Sequence, residues 1–214
     1  METSSLTLAD LEAMDNEARA RLINCLPGYK SAMLVGTCDA DKLTNLAIIS
    51  SHFHLGSRPP LLAMILRPDS GRSERHTLSN ILEMESWTLN AFTLREAAQA
   101  HQTSAPYPKT LSEFDACGFS EDWKPSCPAP FVASSPLQVA CALREHRQLD
   151  INETHMVIGE VTTLHFPENA LRQDGALLLH RMGVVAISGL DTYTQPDAGV
   201  AFRAASMDTP TTPL

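Results

Sequence analysis

The sequence predicts a mainly β fold, a barrel-like antiparallel sheet with peripheral helices. Apolar runs of strand length recur along the chain, and the polar connection at 38–42 between the first two has hairpin length. The strand–helix–strand alternation that builds parallel sheets is not found. Gly159 lies inside the longest run, where glycine favours a bulge or a bend of the kind that a curved sheet requires.

The individual elements follow from periodicity. Residues 8–26 carry apolar side chains at helical spacing and charged residues on the other face, which predicts an amphipathic helix that packs on the domain or on a partner subunit. Pro27-Gly28 ends it. Residues 52–60 are expected to be a loop, with Pro59-Pro60 fixing the entry to the next strand. Strands are predicted over residues 31–37, 44–51, 61–66, 87–92, 137–145 and 154–166.

The chain divides into three predicted parts. Residues 1–26 form the N-terminal helix, residues 27–196 the β domain, and residues 197–214 a tail that is expected to be poorly ordered unless it docks on another subunit. Within the domain, residues 95–135 form a proline-rich excursion with short helical signals, such as the capping sequence Thr110-Leu111-Ser112-Glu113. Excursions of this length usually cover a site or a partner.

Composition argues against several classes of function. With 214 residues, 43% of them hydrophobic, the chain is predicted to be one domain with a substantial core. The net charge of −9 argues against a nucleic-acid or anionic-membrane surface, because binding phosphates in number needs a dense basic face. No apolar run approaches the roughly 20 residues of a membrane span, and the N-terminus lacks the features of a signal peptide, so a cytoplasmic protein is expected.

The cysteines and histidines predict neither a disulfide framework nor a metal centre. The five cysteines include no Cys-x-x-Cys pair, so reduced thiols are expected. His52 and His54 would share one face of a strand, the spacing of a metal-ligand pair. The sequence places no acidic or thiol partner beside them, and no metal is predicted.

Cations and hydroxyls cluster after the strand at 61–66, at the start of a short predicted helix with Leu78, Ile81 and Leu82 as its buried stripe. Unpaired N–H groups and the helix dipole make a helix start receptive to an anion, and arginine, histidine and hydroxyl groups can add hydrogen bonds. Taken alone, the cluster is either a phosphate site or a solvated, capped helix end. It comprises Arg67, Arg72, Ser73, Arg75, His76, Thr77 and Asn80.

Several motifs are informative through their order and spacing. They are Thr44-Asn45-Leu46-Ala47 with Ser50-Ser51, Arg58-Pro59-Pro60, the 67–80 segment, 103–108 followed by Glu113-Phe114 and Cys117-Gly118-Phe119, 134–137, 157–161 and 188–193. As a set they resemble the flavin reductase-like family, over roughly residues 27–196. The resemblance implies an FMN-binding split β-barrel with a Greek-key-like antiparallel sheet.

The resemblance also implies a flavin site with two ends. The strand at 45–51 would lie along the isoalloxazine ring and contact it through backbone groups and serine hydroxyls. Arg67, His76 and Thr77 match the positions that hold the ribityl phosphate, and His76 replaces a lysine common in the family, which implies a weaker or pH-dependent contact. His101, Thr103 and Tyr107 either reach the flavin or only pin the excursion. The predicted cofactor-binding residues are Asn45, Ala47, Ile48, Ile49, Ser50, Ser51, Arg67, Arg72, His76, Thr77, Asn80, His101 and Thr103.

The function implied is that of an FMN-binding flavoprotein oxidoreductase, a flavin reductase that passes hydride from NADH or NADPH to flavin N5. Family members are commonly homodimers with sites at the interface, so a homodimer is expected. Two alternatives stay open: an FMN-dependent oxidoreductase acting on a small substrate, and a protein that stores or binds FMN without turnover. No general acid or base is predicted, because flavin chemistry asks little of side chains. NADH and NADPH are not distinguished, since the chain has no glycine-rich dinucleotide fingerprint.

Overall fold

The computed structural model describes residues 3–69 and 76–214, which fold around one large antiparallel sheet. The helices are α1 (Leu8–Ala13), α2 (Asn16–Cys25), α3 (His76–Met84), α4 (Ala97–Gln102) and α5 (Glu113–Cys117), with short 3-10 turns at Leu94–Glu96, Glu168–Ala170 and Leu179–Met182. The strands are β1 (Lys30–Ser31), β2 (Met33–Cys38), β3 (Thr44–Ile49), β4 (His52–Ser57), β5 (Pro60–Leu66), β6 (Ser86–Ala91), β7 (Glu121–Asp122), β8 (Phe131–Val132), β9 (Gln138–Gln148), β10 (His155–His165), β11 (Ala186–Ser188) and β12 (Thr192–Thr194).

The main sheet has the order β3-β2-β6-β9-β10-β5-β4 among the described residues, and each pairing is antiparallel. Its two edge strands are joined by only two residues, because β3 ends at Ile49 and β4 begins at His52. A flat sheet of this order would separate its edges by about 29 Å, six spacings of roughly 4.8 Å. Three residue steps span at most about 11 Å. The sheet therefore curls until its edges meet, and the predicted mainly β, barrel-like class is confirmed.

The prediction of a loop at 52–60 is wrong, since residues 52–57 form β4. Its backbone pairs with β5, while the side chains of Phe53 and Leu55 are exposed. Residues 52–55 do alternate polar and apolar side chains, so the strand signal is present in the sequence, although the apolar members are exposed in the fold. The Arg58-Pro59 peptide bond is cis and makes the turn into β5.

The barrel interior is packed around Trp87, which is 1% exposed. The ring of Trp87 lies directly over Gly159, where a Cβ atom would stand 2.2 Å from Cη2 of Trp87. The β9–β10 register shifts at Ile158/Gly159, so the predicted bulge is present. Glycine at this position allows the strand to bend and lets the indole approach the backbone.

Both faces of β2 are buried. Met33 and Val35 belong to the interior cluster around Trp87, whereas Leu34 belongs to a second cluster with Phe92 and Phe114. Because side chains alternate along a strand, the second cluster lies on the outer face of the sheet. The 95–135 excursion, which carries α4, α5, β7 and β8, thus covers this outer face beside the edge strand β3.

The predicted single helix at 8–26 is two helices. Asp15 breaks it, because its carboxylate accepts the N–H groups of Glu17 and Ala18 and caps α2. No residue of α1 or α2, both fully described, is buried, and Leu8 is 71% exposed. The apolar stripe is therefore at most half-buried on this domain.

The last segment, residues 195–214, makes one isolated β-bridge, between Phe202 and Pro213. Across the described parts of the chain, every helix is too short or too polar to cross a membrane.

Candidate functional site

A cleft opens where the two edges of the curled sheet meet. Its walls are β3 with the Ser50-Ser51 link, the end of β5 with the first turn of α3, the excursion, and residues 187–193. Its volume of about 320 Å³ falls within the roughly 300–1,000 Å³ of ligand pockets. The predicted cofactor-binding residues that line it are Asn45, Ala47, Ile48, Ile49, Ser50, Ser51, Arg67, His76, Thr77, His101 and Thr103.

Two predicted residues are not part of this lining. Arg72 lies outside the described residues, as do Ser73 and Arg75 of the cation cluster. Asn80 lies behind the cleft wall, where its side-chain amide donates to Thr37 Oγ1 at 3.2 Å. Asn80 lines a neighbouring pocket of about 10 Å³, the size of a single water. Its Oδ1 is buried and has no hydrogen-bond partner in residues 3–69 and 76–214.

The outer edge of β3 is capped by side chains of the excursion. The N–H of Leu46 donates to Glu113 Oε2 at 2.9 Å, and the N–H of Ile48 donates to Thr103 Oγ1 at 2.9 Å. The Thr103 hydroxyl in turn donates to the carbonyl of Ala100 at 2.8 Å. Thr103 therefore pins the excursion to β3, and the N–H of Ile48 is already used within the protein.

Ser50 and Ser51 follow β3 at the point where the sheet closes. The carbonyl of Ser51 accepts the N–H of Ile65 at 2.8 Å, which holds the link against β5. Neither serine hydroxyl has a hydrogen-bond partner in the described part of the chain. Both hydroxyls are thus free to bind a ligand in the cleft.

Arg67, His76 and Thr77, the residues predicted to hold the phosphate, all line the cleft. Arg67 is exposed and forms no ion pair with any described residue. Thr77 is 8% exposed, and its Oγ1 accepts the amide of Asn45 at 3.0 Å. Since this bond occupies an acceptor position of the hydroxyl, the Thr77 proton can be donated into the cleft. The lining therefore includes a cation and a hydroxyl donor, which suit an anion.

Elsewhere in the lining, the His101 ring contacts Tyr193. The two rings pack edge to face with centroids 5.8 Å apart, and His101 Nδ1 lies 2.9 Å from the Tyr193 hydroxyl. Burial, with the nearby Asp191, raises the pKa of Tyr193 to about 12, so the phenol stays neutral. Asp191 pairs with Arg21 of α2, which brings Asn24 into the cleft wall.

Glu113, Tyr193 and Asn24 also line the cleft, and none of them is among the cofactor-binding residues that the sequence predicts. The capping sequence at 110–113 predicts that Glu113 is part of a helix cap, but Ser112 caps α5 and the Glu113 carboxylate accepts the N–H of Leu46 in β3. Glu113 and Tyr193 lie in motifs that carry the family resemblance, and these motifs are the sequence signal that could have pointed to both residues. Asn24 gave none, because only the packing of α2 brings it to the cleft.

No group of three or more His, Cys, Asp or Glu side chains within the described residues is arranged to hold a metal. His52 and His54 both lie on β4, where the His54 ring contacts the Ser57 hydroxyl at 3.1 Å. All five cysteines are free, and four of them are buried.

Comparison with known proteins assigns the family. Residues 27–188 match the flavin reductase like domain. A flavin reductase-type protein with a split barrel domain from Shewanella frigidimarina is 41% identical, with a TM-score of 0.90 over 95% of this chain and 100% of that chain. The chain belongs to the flavin reductase like domain family. A comparison with curated protein sequences found no match.

More distant members of this structural group share the fold alone. Nitrilotriacetate monooxygenase component B from Bacillus cereus has a TM-score of 0.80 at 16% identity, over 93% of this chain and 98% of its own. An FMN-binding protein from Thermus thermophilus has a TM-score of 0.65 at 14% identity, over 80% of this chain and 89% of its own. The predicted family and split-barrel architecture are therefore confirmed.

The cleft extends beyond the segment that matches the flavin reductase like family. Asn24 precedes the matched residues and Tyr193 follows them, yet both line the cleft. Elements outside the family's common domain thus shape the end of the cleft next to His101.

The two bonds of the Thr103 hydroxyl predict a structural role for this side chain. We expect Thr103→Val to lower the free energy of unfolding by about 1–3 kcal/mol, because it leaves the N–H of Ile48 without a partner. Urea denaturation measures the loss, and Thr103→Ser, which keeps the hydroxyl, should restore most of it. Unchanged stability together with weaker flavin binding would instead show that the hydroxyl serves the ligand.

Proposed function

We propose that this protein binds FMN in the cleft and acts as an oxidoreductase that accepts hydride from NADH or NADPH. The flavin ring is assigned to the wall formed by β3 and Ser50-Ser51, and the phosphate to the end with Arg67, His76 and Thr77. Family membership supports the cofactor class, and the name of the Thermus thermophilus protein includes FMN. The reaction proposed is the reduction of flavin or of an acceptor that the flavin serves.

One observation carries the proposal most directly. A single cleft joins the free hydroxyls of Ser50 and Ser51 to the cationic, hydroxyl-bearing end at Arg67 and Thr77. FMN is a long molecule with a polar ring edge at one end and a phosphate at the other. The cleft lining holds donors of both kinds, so the residues present fit the group.

The side chains have binding and orienting roles in this proposal. The chemistry that FMN would supply is hydride transfer between a nicotinamide and an acceptor. Arg67 and Thr77 would hold the phosphate by charge-assisted hydrogen bonds. Asn45 orients the Thr77 hydroxyl, and Tyr193 fixes the His101 ring at the far end of the cleft.

We further infer a homodimer. The helices α1 and α2 have no buried residue, and Leu8 and Leu26 at their two ends are 71% and 70% exposed. Phe53 and Leu55 on the edge strand β4 are also exposed. Clusters of exposed apolar side chains mark association surfaces.

Light scattering after gel filtration should give the mass of two chains, and a single-chain mass at micromolar concentration would contradict the inference.

Flavin binding is the first test of the proposed function. We expect added FMN to lose fluorescence as it binds and to raise the melting temperature, because a ligand that binds only the folded state stabilises it. A colourless purified protein that neither quenches FMN nor gains stability from it would refute the proposal.

Anaerobic mixing with NADH or NADPH then separates the possible activities. A flavin reductase should bleach the flavin band and turn over added FMN. Bleaching of the bound flavin alone would indicate a redox centre for another substrate. A flavin band that persists with both nucleotides would indicate storage or binding without turnover.

The placement of the phosphate predicts a selective effect of Thr77→Val. We expect FMN affinity to fall about tenfold or more, the value of one hydrogen bond to a charged group, while riboflavin affinity changes little. Fluorescence titration with both flavins measures the ratio. Thr77→Ser keeps the hydroxyl and is the matched control. Equal losses for FMN and riboflavin would place the wrong end of the ligand at Thr77.

A further inference from the structure

The phosphate end of the cleft also contains a buried acid, Glu113. This residue is 6% exposed and lines both the cleft and the small pocket beside it, together with His76. Its hydrogen bond from the N–H of Leu46 fixes Oε2 against β3. The protein thus places a carboxyl group where the proposed ligand brings its own negative charge.

Glu113 differs from Asp39, the other buried acid in the described residues. Asp39 lies 2.9 Å from the ammonium group of Lys109, and this partner lowers its pKa. No Lys or Arg pairs with Glu113 within the described chain. Burial raises the pKa of Glu113, an effect that the Leu46 N–H and the nearby His76 only partly oppose.

Among residues 3–69 and 76–214, the groups around Glu113 leave its charge weakly compensated. From α3 it is faced by His76, and from its own helix by the Cys117 thiol, whose pKa burial raises. Lys109, across the small pocket, is already paired with Asp39. An ionised Glu113 would therefore repel a dianionic phosphate at His76 and Thr77, in surroundings that screen charge less than water does.

We propose that Glu113 takes up a proton when a phosphate-bearing flavin binds, so that phosphate recognition in this cleft is coupled to protonation of a buried carboxyl. The protonated group can still accept the N–H of Leu46 on its carbonyl oxygen. Its other oxygen becomes a hydroxyl donor, whereas the ionised carboxylate could only accept. This inference rests on the proposed function and makes Glu113 a residue that sets the pH dependence of binding.

The sign of the effect follows from linkage. Because the bound phosphate raises the pKa of Glu113 further, binding takes up a proton wherever the free protein has lost it. FMN affinity should therefore fall as the pH rises, by up to about tenfold per pH unit while one proton is coupled. Above pH 7 the phosphate is already largely dianionic, so its own titration adds little there. Riboflavin has no phosphate, and its affinity should not follow this slope.

Glu113→Gln is the direct test, because glutamine resembles the protonated acid in shape and keeps an oxygen for Leu46. Calorimetric titration with FMN at pH 7.5, in two buffers of different ionisation enthalpy, measures the protons taken up. We expect uptake by the wild type to exceed uptake by E113Q, and E113Q to bind FMN more tightly above pH 8. Asp115→Asn, an exposed acid on the same helix, is the matched control and should behave like the wild type.

The outcomes distinguish this inference from the function on which it rests. If the wild type does not bind FMN, the proposed function fails. If FMN binds but E113Q keeps the proton uptake and pH slope of the wild type, Glu113 is not the group. Uptake that vanishes in His76→Asn and persists in E113Q would assign the proton to His76 and overturn the inference. Should E113Q not fold, equal pH slopes for FMN and riboflavin in the wild type would overturn it as well.

Discussion

The short link Ser50-Ser51 is the constraint on which the rest of this structure depends. It joins β3 to β4, the two edges of a seven-stranded order within the described chain, and two residues cannot bridge a flat sheet of that width. The sheet must curl, and curling requires the bulge at Gly159 under the Trp87 ring. The same closure brings the end of β5 and the start of α3 beside β3, which creates the cleft.

The excursion resolves the second problem of this architecture, the exposed edge of β3. An unpaired edge exposes N–H groups that can pair with a strand of another molecule. Here Glu113 and Thr103 accept the N–H groups of Leu46 and Ile48, and Phe114 packs on the outer face of the sheet. Capping of the edge and construction of the cleft are therefore one arrangement, because both capping side chains also line the cleft.

The chain has a net charge of −9, so the positive charge in the cleft is a local feature of its lining. The anion end of the cleft carries Arg67 and the Thr77 hydroxyl, while Glu113 lies in the same wall. In the proposed phosphate site, cations alone would bind phosphate at all pH values, whereas a buried acid beside them would make the affinity depend on protonation. Membership in the flavin reductase like family accounts for the barrel and its cofactor class. Glu113 lies inside the matched segment, but its environment is visible only in the folded chain.

The sequence by itself determined the fold class, the interior strands, the bulge at Gly159 and the family. Buried strands carry strong apolar runs, and the motifs keep their order whatever the detailed packing. It also grouped Arg67, His76 and Thr77, which are near one another in the chain and all line the cleft.

Only the tertiary structure decided that β4 is an edge strand of the sheet, that side chains of the excursion cap β3, and that the chain breaks between α1 and α2. β4 exposes the apolar members of its alternation, and the apolar stripe of α2 predicts a burial that this domain provides only in part. The bond from Leu46 to Glu113 spans 67 residues, and Tyr193 meets His101 across 92. Contacts between residues so far apart in the chain depend on how the sheet closes, and local sequence patterns carry no information about that closure.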